Sequence, residues 1–236
     1  MRKLLGFFLA LEIVAVFPLS TFNTSHMAKA DTVRVDRKTK KEFFKAVKEG
    51  DVEKVKEILR RGVPVDIKDK FGWTPLFHAV DLNNYKLVKL LVNHGANVNE
   101  KDYFDFSPLH QAAIRNNLPI AKLLVEHGAN VNAKDKYGYT PLHVATIYNS
   151  YRVAKFLIDK GANVNAKDSY GNTPLHYCAT TKGSQRLAKL LLLKGADPNM
   201  KNNRGKTPLD LANSVKNHVV SKVIVDFLKN KQTQGK

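Results

Sequence analysis

The block Thr-Pro-Leu-His, or a close variant of it, returns along this chain at an almost constant step. Pro75, Pro108, Pro141 and Pro174 stand 33 residues apart, and Pro208 follows after 34. A second marker keeps the same step: Gly95, Gly128 and Gly161 each precede Ala-Asn-Val-Asn, and Gly195 follows one residue late. Self-similarity at this period marks small supersecondary units. Each is too short to bury its apolar face alone and is stabilised by stacking on its neighbours. A solenoid is therefore expected, although 236 residues alone would suit one or two ordinary domains.

These blocks and glycines resemble the ankyrin repeat, a hairpin followed by two antiparallel helices in about 33 residues. The resemblance implies an all-α solenoid of helix-turn-helix units joined by β-hairpin loops, about six units with both caps. Full units are placed at residues 69–101, 102–134, 135–167 and 168–201 of an ankyrin domain spanning 31–230. A first unit, 36–68, keeps Val55, Ile58, Leu59 and Gly62 but carries Lys40, Lys41 and Glu42 where the Pro-Leu block belongs. A terminal unit with one face in water reads this way. The last unit, 202–230, spaces Val215, Val219, Val223 and Phe227 at four-residue steps, an apolar stripe expected to close the stack. Residues 231–236 are expected to form a disordered tail.

Each internal block has a physical reading. Thr74, Ser107, Thr140, Thr173 and Thr207 are positioned to cap first helices, and the proline after each suits the first turn. Leu76, Leu109, Leu142 and Leu175 should point inward, as should Leu91, Leu124 and Leu157. Gly72, Gly138, Gly171 and Gly205 suit hairpin tips that favour positive φ, and Asp105 in their place predicts an altered tip. Phe77 replaces the block histidine in one unit, and an extra residue near Lys182 to Gln185 should bulge a loop between helices. Cys178 is the only cysteine and shares the register of Ala46, Ala79, Ala112 and Ala145. It reads as a small buried hydrophobe, with no internal disulfide available.

Residues 1–30 stand apart. Arg2 and Lys3 precede an apolar run from Leu4 to Phe17, and Ala28-Lys29-Ala30 offers a small-x-small cleavage site before Asp31. That layout predicts a secretory signal peptide and a secreted or periplasmic product. Glu12 inside the run and the long polar stretch before the cleavage site count against it, and an uncleaved membrane anchor is the alternative. Cleavage would lower the formal net charge from +18 to +16, still strongly basic.

His110, His143 and His176 recur at the unit spacing, but units stack about 10 Å apart and zinc holds its nitrogens within about 2.1 Å. Neighbouring histidines cannot share a metal. The ankyrin resemblance implies instead that this histidine links one unit to the next. His94 and His127 suit helix C-termini, and the pairs Asn97 with Asn99 and Asn130 with Asn132 suit turns. Lys68, Lys101, Lys134 and Lys167 each stand beside an aspartate that should neutralise them; Lys56, Lys89, Lys122 and Lys155 have no such partners. No phosphate loop, paired-carboxylate cleft, metal-ligand set or nucleophile elbow is present, so no enzyme, cofactor or small-molecule substrate is predicted.

Two aromatic rows remain. Phe71, Phe104, Tyr137 and Tyr170 keep the 33-residue step, and Trp73, Phe106 and Tyr139 run two positions behind them. Tyr103 and Tyr148 join the same side. The resemblance implies that these positions line a concave surface where partner proteins dock, although some of the rings could pack along neighbouring hairpins. The expected function is a monomeric protein-binding scaffold, with the surface centred on Trp73, Phe106 and Tyr139. The alternative is a basic module attracted to anionic membrane, polysaccharide or nucleic acid. Nucleic acid is disfavoured because no base-reading motif is present.

Overall fold

The computed structural model describes residues 35–234; the expected signal segment lies outside them. The described chain forms twelve helices in six antiparallel pairs. In order they are α1 (Arg37–Glu49), α2 (Val52–Arg60), α3 (Pro75–Asp81), α4 (Tyr85–Asn93), α5 (Pro108–Ile114) and α6 (Leu118–Glu126). Then follow α7 (Pro141–Ile147), α8 (Tyr151–Asp159), α9 (Pro174–Thr180), α10 (Gln185–Leu193), α11 (Pro208–Ser214) and α12 (His218–Gln234). First helices pack on first helices (α3 on α5, α5 on α7, α7 on α9, α9 on α11) and second helices on second helices, giving two layers. No strand occurs among the described residues. Each hairpin is a pair of turns, closed for example by Asp69 N donating to the Trp73 carbonyl at 2.9 Å.

Helices of seven and nine residues are too short to persist alone in water, so their order comes from caps and stacking. Each of the five Thr or Ser residues is an N-cap and each proline opens its helix, as the sequence predicts. The seam is apolar throughout. Leu76, Leu109, Leu142 and Leu175 are buried from the first layer together with Cys178 of α9, and Leu91, Leu124 and Leu157 from the second. Burial pushes the Cys178 thiol up, so it stays protonated and inert.

The block histidines join the units. His110, His143 and His176 accept at Nδ1 from the backbone N–H of their own N-cap residue, at 3.0 to 3.1 Å. Their Nε2 atoms donate to carbonyls of the next unit: Tyr139 at 3.0 Å, Asn172 at 3.1 Å and Lys206 at 3.0 Å. A ring that accepts at one nitrogen and donates at the other is neutral. Burial holds His110 and His143 at pKa values of about 4, which agrees. Phe77 cannot bond this way and instead packs its ring 4.5 Å from that of Trp73.

Two further ladders were not legible in the sequence. The second asparagine of each turn reaches forward: Asn99 Nδ2 donates to the Gly128 carbonyl at 2.9 Å, and its Oδ1 accepts from Asn130 N at 2.8 Å. Asn132 and Asn165 repeat the pattern. The hairpin lysines do likewise, with Lys68, Lys101, Lys134 and Lys167 each donating Nζ to the carbonyl of the lysine one unit on. Among the described residues no ion pair joins these lysines to their adjacent aspartates; Lys68 pairs with Glu100 and Lys101 with Asp105. Each aspartate turns inward to accept the hairpin's own N–H groups, as Asp135 does from Tyr137 N and Tyr139 N at 2.8 Å. Of Lys56, Lys89, Lys122 and Lys155, only Lys155 pairs among the described residues, with Asp159 at 2.6 Å.

Several local expectations are corrected. Asp105 adopts φ 60° with the ordinary hairpin bonds, and Lys136 N still donates to the Phe104 carbonyl at 2.9 Å, so this tip is not altered. The extra residue of the fifth unit does lengthen its loop as expected: Thr181 leaves the helix at ψ 127°, and Gly183, φ 73°, takes the left-handed position that Asn83, Asn116 and Asn149 hold in the other internal units. At the C-terminal cap, Val215 and Val219 are exposed, while Val220 and Ile224 enter the core. Val223 and Phe227 pack against the core as expected, but Val215 and Val219 do not, because Lys216 breaks the chain at φ 55° before α12 begins. That helix also continues to Gln234, beyond the start of the expected disordered tail.

Candidate protein-docking face

The hairpins and the C-terminal ends of the first helices share one face of the stack. Hairpin geometry is fixed by each aspartate, whose Oδ1 accepts from the N–H groups two and four residues on. That bracket fixes the backbone of the first-row aromatic, whose own N–H is the donor nearer in sequence. Phe71, Phe104 and Tyr170 are 56%, 56% and 54% exposed, Tyr137 is 44% exposed, and Tyr148 at the end of α7 is 55% exposed.

The second aromatic row behaves differently. Trp73, Phe106 and Tyr139 are half-buried, each held against its own first helix. Trp73 lies 5.0 Å from the ring of His78, and its Nε1 donates to Asp102 at 3.3 Å. Phe106 stacks 4.7 Å from His110, and Tyr139 meets Tyr177 edge-on at 5.7 Å. The physical reason is position. These residues stand directly before the N-cap, where the chain turns onto the first helix and their rings fall against it. Tyr103 is exposed but lies over the preceding hairpin tip: a Cβ on Gly72 would come within 2.9 Å of its ring.

Five of the predicted residues come together. Phe104, Phe106, Tyr137, Tyr139 and Tyr148 line an open cavity of about 370 Å³ between the third and fourth units. Ile114, Val144 and Ile147 form its floor from the first helices, and Asp102 and Asp135 border it. Burial pushes the Asp135 carboxyl up, against the two backbone donors that pull it down. Tyr170 lines a smaller cavity of about 230 Å³ with Asn172, Asn203 and Leu211. The polar neighbours, Asp81 with Gln111 and Arg115, and Tyr177 with Asp168, were not anticipated; they join residues that only folding makes adjacent. No group of three or more potential metal ligands occurs among the described residues.

Residues 43–135, 104–168 and 130–202 each match the protein family described as "Ankyrin repeats (3 copies)". The chain belongs to the ankyrin-repeat family. Comparison with curated proteins gives no match. Ankyrin stacks generally mediate contacts between proteins. In this ankyrin stack the exposed rings and the cavity they surround occupy the hairpin and first-helix face. No helix among its described residues is long and apolar enough to cross a membrane.

Proposed function

We propose that this ankyrin stack is a non-catalytic scaffold that binds another protein along its concave hairpin and first-helix face. The observation that carries this reading is the contiguous row of exposed rings formed by Phe104, Tyr137 and Tyr148, with Phe71 and Tyr170 at its ends. Exposed rings in a row favour a covered state. Each ring buried by a partner contributes about 1–3 kcal/mol. Because the hairpins are already braced, little conformational entropy is lost on docking. The signal-like segment Arg2 to Ala30 supports a secreted or periplasmic setting.

Affinity capture from the native source with high-salt washing tests the reading. Phe104→Ala, Tyr137→Ala and Tyr148→Ala together should abolish capture of the partner while the melting temperature stays unchanged. Undiminished capture rejects the docking face. Capture that instead falls steeply and log-linearly with salt would assign binding to the excess lysines and an anionic polymer or surface. Amino-terminal sequencing tests export: a mature chain starting at Met1 rejects cleavage.

A further inference from the structure

The hairpin aspartates Asp69, Asp102, Asp135 and Asp168 share one register position, and each commits Oδ1 to its own hairpin. Their second oxygens differ. Asp69 Oδ2 meets Nε2 of His78 at 2.9 Å, and Asp168 Oδ2 accepts from the Tyr177 hydroxyl. Asp102 Oδ2 accepts from the Trp73 indole of the preceding unit at 3.3 Å. Among the described residues no donor reaches Oδ2 of Asp135.

Two register substitutions explain the difference. Where His78 and Tyr177 stand, the fourth unit has Val144; where Trp73 stands in the unit before, there is Phe106. Neither side chain can donate. Both line the same aromatic cavity as Asp135, so its half-buried carboxylate borders rings and aliphatic groups. A carboxylate in such surroundings favours a cationic donor over a neutral one. Flat rings on several sides favour a planar, weakly hydrated cation over an ammonium. The chain as a whole is strongly basic, which repels a polybasic segment far more than a single cation among apolar residues.

We propose that this cavity receives the guanidinium of one arginine, carried between apolar residues on an extended segment of a partner protein. Its fork engages Asp135 Oδ2, and its faces lie against the surrounding rings. The assignment rests on the docking reading above and names the chemistry of its partner.

The test uses the full-length chain, carbon-13 labelled in its tyrosine rings, titrated with the capped tripeptide acetyl-Leu-Arg-Leu-amide and its lysine and citrulline counterparts. The arginine peptide should give saturable shifts of Tyr137, Tyr139 and Tyr148. Lysine should bind several-fold more weakly and citrulline at least about tenfold more weakly. Asp135→Asn should weaken the arginine peptide by about tenfold. Asparagine holds this register already: Asn202 Oδ1 accepts from Arg204 N and Lys206 N at 3.0 Å, so the hairpin and the melting temperature should survive. Val144→Tyr, which places a hydroxyl where Tyr177 has one, should also weaken binding. The absence of a saturable shift, equal binding of lysine or citrulline, or indifference to Asp135→Asn overturns the proposal. If the triple alanine variant abolishes partner capture and Asp135→Asn does not, the docking face stands and the arginine falls. If the alanine variant leaves capture intact, the docking face itself fails.

Discussion

His143 donates from Nε2 to the carbonyl of Asn172, 3.1 Å away in the next unit, while its Nδ1 accepts from Thr140 N at 3.1 Å. The bond works only with a neutral ring, and burial lowers the pKa of His143 and His110 from 6.5 to about 4. The unfolded chain therefore takes up protons first as pH falls. Stability present above pH 6.5 should drain away towards pH 4, by on the order of 3 kcal/mol for each of these rings. Denaturant midpoints at pH 7 and pH 4.5 check this, and a flat profile would contradict it.

An exposed residue should matter more than its exposure suggests. Asn132 donates to the Gly161 carbonyl at 3.1 Å and accepts from Asn163 N at 2.8 Å, spanning two units. Asn132→Ala should cost about 1–2 kcal/mol, against the few tenths usual for a surface substitution. Urea unfolding measures it.

Two capping positions should respond in opposite ways. The Ser150 hydroxyl is buried and has no partner among the described residues, whereas Thr140 Oγ1 accepts from His143 N. Ser150→Ala should leave the melting temperature level or raise it, because an unpaired buried hydroxyl contributes nothing. Thr140→Ala should cost about 1 kcal/mol. Scanning calorimetry on both variants reads the contrast.

The two aromatic rows should separate by phenotype. Phe106 is packed against His110, so Phe106→Ala should destabilise the stack by about 2 kcal/mol. Phe104 is mostly exposed, so Phe104→Ala should change stability by under about 0.5 kcal/mol while weakening partner binding. Equal melting temperatures for the two variants would show that both rows face solvent.

The architecture is legible from the residues alone. Caps, Pro-Leu blocks, closing glycines and the inward leucines are local signals, each dictated by the backbone conformation or burial its own position needs. Repetition then made the register of Pro75, Pro108, Pro141 and Pro174 unmistakable. Whatever depends on distances between units emerges only once the units are stacked. The forward reach of Asn99 and Lys101 to the next unit, the retreat of Trp73, Phe106 and Tyr139 against their helices, and the shift of the last buried stripe to Val220 and Ile224 are examples. So is the meeting of Asp135 with Phe106 and Val144 around one cavity. A periodic sequence shows which positions are equivalent. Which neighbour satisfies each side chain depends on the residues that stacking places beside it, and these change from unit to unit.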